Sequence, residues 1–525
     1  MRPLITAFVL LLTLPSGALA APPKGFDARV EALRQSVGAP AVSIAIVEDG
    51  KVTLTRAYGV KQLGRPDRAD PDTIFQLGSV SKAFTAAALA TLVDEGRIKW
   101  DDKVIDHLPY FRMYDPWVTR EITVRDLLVH RSGLGLGQGD LLFLPATTIG
   151  RKDAVMRLRH LKPATSFRSA YAYDNVLYMV AGQLIEEVTG QPWETYVRDR
   201  LLRPAGMTHA VTSEAERVTV ANRAMPHSRM GEIHGSGPQE ALDEGNSTLG
   251  ANGNPAGAIS ASAKDMARWL QVQLNGGRVP DSDKALFSTA TRDEMWRGVT
   301  PVPISPLPGD LAKLTPQFKL YGLGWNVQDY RGRRIIVHGG GVLGGIATVV
   351  LMPETNTGIA IMINSQDSKL LSGLQWELID HYLGQPKADW PAVFDRFFTE
   401  RLENGAAAAA AAKQARPASS KPALPASAYA GEYADPWYGP IAISERNGGL
   451  FIDFRQTPGM VGPLEHWARD TFVARFTHPH AEPAYVTFAV DASGKVERIT
   501  MKAFSPVADF SYDYHDLLFT PVVKP

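Results

Sequence analysis

The nearly continuous apolar run AVSIAIV, Ala41 to Val47, predicts a buried strand. Asp49-Gly50 is a turn signal, and KVTLTRAYG returns as the second strand of a hairpin. After Gly78 the pattern changes to helical spacing: SVSKAFTAAALATLVDEG is rich in Ala and Leu and closes on Gly96, a favoured C-cap residue. This places Ser79 at a helix N-terminus. Further helical stretches are read at Val124 to Val129, Asn175 to Thr189 and Ala263 to Leu274, separated by loops containing Gly and Pro. From Tyr321 to Ser365 the pattern turns to strands again, YGLGWNV, RRIIVHG, GIATVVLMP and GIAIMIN, with a turn at Pro353 to Thr357. Strands from both ends around a central helical block predict an α+β fold, an antiparallel sheet flanked by helices rather than a doubly wound one.

The tract from Gly405 to Ser427, GAAAAAAAKQARPASSKPALPAS, reads as an Ala/Pro/Ser linker whose Ala run can extend the preceding helix. Beyond it, residues 428–525 are rich in Tyr, Phe, Val and Thr with turn residues at short intervals, which predicts an additional small β domain. A chain ending near Asn404 is expected to stay folded. At the other end, Arg2, the apolar stretch Leu4 to Leu14 and Ala18-Leu19-Ala20 have the layout of a cleavable signal peptide over residues 1–20. That apolar core is shorter than the roughly 20 residues needed to span a bilayer. The expected protein is periplasmic or secreted, with no membrane insertion after cleavage and with residues 21–404 as its catalytic domain.

Composition narrows the chemistry. Lys and Arg total 55, as do Asp and Glu, so no net basic field exists to attract nucleic acid. There is no cysteine, which removes disulfides, thiolate nucleophiles and sulfur-ligated metals. No cofactor and no metal are expected. The partner class is a small-molecule or short-peptide substrate, and the oligomeric state is left open.

Ser79-Val80-Ser81-Lys82 is an S-x-x-K at a predicted helix start, a spacing that puts hydroxyl and amine on one face within reach of a shared proton. Alone, that pair is common by chance. Here it is accompanied by Tyr173-Asp174-Asn175 just ahead of a helix and by His338-Gly339-Gly340-Gly341 at a strand end.

With these motifs, and with TIFQLGSVSKAFTAAAL, ITVRDLLVHRSGLG, YDNVLYMVAGQLIEEVTGQPWETYV and PAGAISASAKDMARWL, the chain resembles the serine β-lactamase and penicillin-binding protein superfamily over about residues 26–385. The similarity is to the branch holding class C β-lactamases, D-aminopeptidases, DD-peptidases and esterases. The resemblance implies that Ser79 attacks the carbonyl, that Lys82 and Tyr173 manage its proton, and that Asn175 hydrogen-bonds the constellation. It also implies an oxyanion hole from the N–H groups of Ser79 and Gly341, with His338 and Gly340 beside the substrate. Either Lys82 is the base, its pKa lowered from about 10.4 by burial, or Tyr173 is the ionised base and Lys82 stays cationic.

The third motif departs from the family's usual Lys-Thr-Gly. His338 replaces a permanent cation and no Thr hydroxyl follows, which weakens the case for a carboxylated β-lactam substrate. An imidazole with a reference pKa of about 6.5 is expected to be mostly neutral at pH 7.5 and to gain charge near pH 6. The leading expectation is a peptidase or esterase, with D-residue peptides the favoured substrates. The alternatives are a class C-like β-lactamase or DD-carboxypeptidase, and a non-hydrolytic penicillin-sensing or scaffold protein.

Three other patterns are read as structural. The G-x-G-x-x-G of Gly339 to Gly344 is followed by a strand and not by the helix that nucleotide binding needs. His130-Arg131-Ser132-Gly133 is read as a loop cap, and His478 and His480 as solvent-facing. Trp100, Trp269 and Trp325 are assigned to the core.

Overall fold

The computed structural model describes residues 22–231, 234–246, 249–414, 416 and 420–522. The expected signal segment 1–20 lies outside these residues, as do 415 and 417–419 of the expected linker.

The first hairpin pairs β1 (Ala41–Glu48) with β2 (Lys51–Gly59). The later strands are β3 (Thr300–Pro301), β4 (Lys319–Tyr321), β5 (Asn326–Tyr330), β6 (Arg333–Val342), β7 (Gly345–Met352) and β8 (Thr357–Ile363). Together they form one eight-stranded antiparallel sheet in the order β2-β1-β8-β7-β6-β5-β4-β3. The two ends of the catalytic region meet where β1 pairs with β8, Ala45 opposite Ala360.

Helices cover both faces, so β1, β7 and β8 are buried along their whole length. The period of two sorts their side chains. Val42, Ile44 and Ile46 pack towards α1 (Phe26–Val37) and a helix near the end of the region, Ser368–Tyr382. Ala45, Ala360 and Met362 share the opposite core, which contains Ala263–Leu274 with the buried Trp269. That helix starts at a capping box in which Ser262 and Asp265 satisfy each other's backbone N–H. The helix carrying Lys82, α2 (Ser81–Asp94), is apolar and buried nearly all round, as a central helix must be.

The chain then enters α3 (Trp390–Gln414), which runs ten residues into the expected linker. The Ala run is the strongest helix-forming sequence available and carries the element onward. Gly405 on this helix lies against the C-terminal domain: a Cβ there would stand 2.9 Å from Val507 Cγ1.

Residues 431–521 form a closed barrel of eight antiparallel strands whose first and last members pair. Tyr429, Tyr438, Phe454, Phe488 and Phe519 fill it. Its apolar core is continuous with that of the helical layer. It is also tied there by polar contacts, including Arg157 Nη1 to Gln456 Oε1 at 2.9 Å and Thr148 N to Gln456 O at 2.8 Å.

Candidate active site

Ser79 sits in a short 3₁₀ turn, Gly78–Val80, and the α-helix proper begins at Ser81. The expected helix start is thus displaced by one short turn. Lys82 on the first turn of α2 points back under Ser79 and is wholly buried. Its Nζ donates three hydrogen bonds: to Ser79 Oγ at 3.0 Å, to Asn175 Oδ1 at 2.7 Å and to the Ala256 carbonyl at 3.0 Å. Burial pulls its pKa down to about 7, against the pull of Asp140 and Asp174 in the other direction.

Tyr173 lies beside Lys82, whose Nζ is 4.8 Å from its ring centroid. Burial pushes the phenol far above its ordinary value, with the Ser79 hydroxyl opposing, so Tyr173 is a neutral hydrogen-bonding group at any working pH. Asn175 stands at the N-cap of the helix Val176–Thr189 but makes no side-chain cap. Its amide is used across the site: Oδ1 accepts from Lys82, and Nδ2 donates to Asp140 Oδ2 at 2.7 Å.

The third wall is β6. A Cβ on Gly340 would overlap the Leu77 carbonyl oxygen and crowd the Ser79 nitrogen, so only glycine lets this strand lie against the Ser79 turn. A Cβ on Gly78 would stand 2.5 Å from Gly341 N, which places that N–H beside the same turn. Counting bonded pairs back from the closing pair Val342–Gly345 aims the Gly339 and Gly341 N–H groups away from β7. On that side β5 has already ended at Asn326, opposite Val337.

The reading of His338 as a group that charges near pH 6 is corrected by its surroundings. The ring is buried; Nδ1 donates to the Gly339 carbonyl at 2.6 Å, leaving Nε2 to accept from the Tyr321 hydroxyl at 2.8 Å. Burial first, and Lys82 second, lower its pKa to about 3. His338 is a neutral imidazole across the working range.

Ser81 and Ser132 have other employment. Ser81 Oγ accepts from Ile259 N at 3.0 Å, and Ser132 Oγ donates to Asp174 Oδ2 at 3.2 Å. His130 holds the same loop: its Nδ1 accepts the Asp174 N–H at 3.2 Å, and its ring lies 4.3 Å from that of Tyr173.

These groups open into a cavity of about 500 Å³. Leu136, Phe143, Leu144, Pro145 and Leu249 give it an apolar side, and the C-terminal barrel closes it with His478, His480, Glu482 and residues 509–512. His478 and His480, read as solvent-facing, line this cavity instead. Sequence reasoning missed Asp140, Glu482, Phe510 and Ser511, which carry no motif, and gave no role to Ala256 within the PAGAISASAKDMARWL segment; all reach the site from distant parts of the chain.

The comparisons with known proteins give the family and the fold. The family described as Beta-lactamase matches residues 26–383, more than half of the chain. The chain belongs to the beta-lactamase family. A domain of unknown function, DUF3471, matches residues 415–521, the barrel. Unguisins hydrolase ungD' of Aspergillus campestris is 30% identical over 471 residues, 84% of this chain and 82% of that protein. Among solved structures, the octameric penicillin-binding protein homologue from Pyrococcus abyssi is similar with a TM-score of 0.57 and 19% identity, covering 91% of this chain and 97% of that one. A D-stereospecific amidohydrolase from Streptomyces sp. gives 0.52 and 23%, covering 69% and 99%. Both likenesses are of fold. This beta-lactamase-family chain therefore carries the family's hydrolase fold, with its sheet, its helical block and an appended barrel.

Proposed function

We propose that the protein is an exported serine hydrolase that cleaves amides or esters through an acyl-enzyme on Ser79, acting on D-residue peptides or neutral esters. The observation that carries this reading is the buried Lys82, which bonds Ser79 and Asn175 at once and is held near the pKa a general base needs at neutral pH. Ser79 Oγ attacks the substrate carbonyl as its proton passes to Lys82 Nζ. The N–H groups of Ser79 and Gly341 receive the oxyanion. Collapse breaks the bond to the leaving amine or alcohol, which takes the proton back from Lys82 directly or through the neutral Tyr173 hydroxyl. Water then repeats the sequence on the acyl-enzyme and releases the acid.

The cavity supports a substrate with apolar substituents and no carboxylate beside the scissile bond, because β6 presents a neutral His338 where a cation would hold that carboxylate. A relative named as an unguisins hydrolase, similar over most of both chains, fits a hydrolytic rather than a sensing role. The test is a panel of p-nitroanilides of D- and L-amino acids, short p-nitrophenyl esters and nitrocefin, with wild type and Ser79→Ala. Turnover of the anilides or esters that vanishes in Ser79→Ala is the expected result. Nitrocefin turnover exceeding both would overturn the substrate assignment, and activity surviving in Ser79→Ala would overturn the nucleophile.

A further inference from the structure

The polar chain that starts at the nucleophile does not end within the beta-lactamase region. Lys82 bonds Asn175, Asn175 bonds Asp140 Oδ2, and the same oxygen accepts a hydrogen bond from Ser511 Oγ at 2.8 Å, from a residue in the barrel domain. The barrel holds Asp140 by its backbone as well: Asp513 accepts from Gly139 N at 2.6 Å and from Leu141 N at 3.3 Å, the residues on either side. Ser511 is itself fixed by its N–H bond to Asp509 Oδ1 at 2.9 Å. Asp140 is fully buried, and its Oδ1 has no hydrogen-bond partner among the described residues. Its orientation therefore depends on the two donors at Oδ2.

That orientation matters for Asn175. An amide has one donating and one accepting end, and Asp140 takes the donating end, so the oxygen is left facing the lysine. With Asp140 turned away, the amide is free to rotate and present its NH₂ to Lys82, which offers Nζ nothing to bond.

We infer that Ser511 is a positioning residue for the proton-transfer step: through Asp140 and Asn175 the barrel domain sets the placement of Lys82 against Ser79. This rests on the proposed acyl-enzyme chemistry. Asp140 also raises the proton affinity of Lys82, as Asp174 does, but burial lifts Asp140 itself to about 8, so near neutral pH it is largely a protonated carboxyl and acts on Asn175 through its hydrogen bonds. The remaining ionisable groups around the pair are His130, His338, Tyr173 and Tyr178 on the lysine side, and Asp509 and Asp513 on the carboxylate side. Removing the Ser511 hydroxyl takes a donor from the Asp140 carboxylate and raises its proton affinity. The carboxyl also loses one of the two donors that fix its orientation, and with it the hold on the Asn175 amide.

The experiment uses the full-length protein with Ser511→Ala, Ser511→Thr, Asp140→Asn and, as a cavity-wall control, Phe510→Ala. Two readouts are needed: the rate of fluorophosphonate labelling of Ser79, and kcat and KM on a neutral ester between pH 5 and 9. Ser511→Ala is expected to lower both the labelling rate and kcat about tenfold, the scale of one lost hydrogen bond in a buried network, with KM within about twofold. Asp140→Asn keeps an oxygen that can accept from Ser511 and Asn175 and should cost less than Ser511→Ala, and Ser511→Thr should restore both the labelling rate and kcat. Phe510→Ala should act mainly on KM. The inference is overturned if Ser511→Ala leaves kcat and the labelling rate unchanged, if it changes KM alone, or if Ser511→Thr is as impaired as Ser511→Ala. Absence of Ser79 labelling in the wild type overturns the proposed function instead.

Discussion

The cavity has two unlike sides. On the catalytic side, ionisable groups are sealed and interlocked: Lys82 has three hydrogen-bond partners and no exposure, and His338 has both ring nitrogens occupied. On the barrel side, Glu482 and His478 are only half-buried and stand at the rim. Burial, with Asp509 adding to it, raises Glu482 to about 7, in the same range as Lys82. The same pKa thus arises in two ways with different consequences. A sealed group changes the rate of bond breaking when it titrates, whereas a rim group changes which substrates arrive.

The division is tested most severely by Lys82→Ala, which should cost about 10⁴-fold or more in kcat, the usual scale for removing a member of a nucleophile–base pair. Steady-state kinetics on an ester checks it; a loss below tenfold would return the role of base to another group. Next in size is Gly340→Ala, whose methyl must push β6 away from the Ser79 turn. A fall of about 10²–10³-fold in kcat is expected, comparable with loss of an oxyanion donor, with the melting temperature as a control on folding.

The pH profile gives the third test. A base works in its neutral form, so activity should rise with pH through about 7 as Lys82 loses its proton. The limb should stay in place in His338→Gln, because the imidazole does not titrate above about 3. A limb that moves in that variant would break the assignment. The smallest effect belongs to Glu482→Gln. The carboxyl becomes charged above about 7, so KM for a positively charged ester should fall as pH rises in wild type and stay flat in the variant, a change of a few-fold. An equal effect on kcat would erase the distinction between the two sides.

Much of the catalytic side was legible from local order. S-x-x-K gives a fixed spacing on one helical turn, and Tyr-x-Asn and His-Gly-Gly-Gly sit at element ends that period and turn residues reveal. Strands β1, β2, β6, β7 and β8 were readable for the same reason, as apolar runs bounded by Gly, Asp and Pro, whereas β3 was not read and YGLGWNV spans the turn between β4 and β5. The charge state of His338 was not, because it depends on Tyr321 and on burial, neither of which a motif encodes. Asp140 and Ser511 were invisible for a plainer cause: they meet across 371 positions of sequence, and an isolated Asp or Ser carries no pattern. The Ala run at the start of the Gly405 to Ser427 tract was legible as an extension of the preceding helix, which continues to Gln414.

The contact between Gly405 and Val507 makes that helix an angular setting for the barrel loop. In an α-helix each added residue turns everything after it by about 100° and advances it about 1.5 Å. One alanine inserted between Trp390 and Gly405 would swing the glycine off Val507 and bring a Cβ-bearing neighbour round in its place. The same insertion in the alanine run that follows would leave the contact in phase. The helix should therefore tolerate length changes on one side of Gly405 and resist them on the other, as a keyed shaft does on either side of its key.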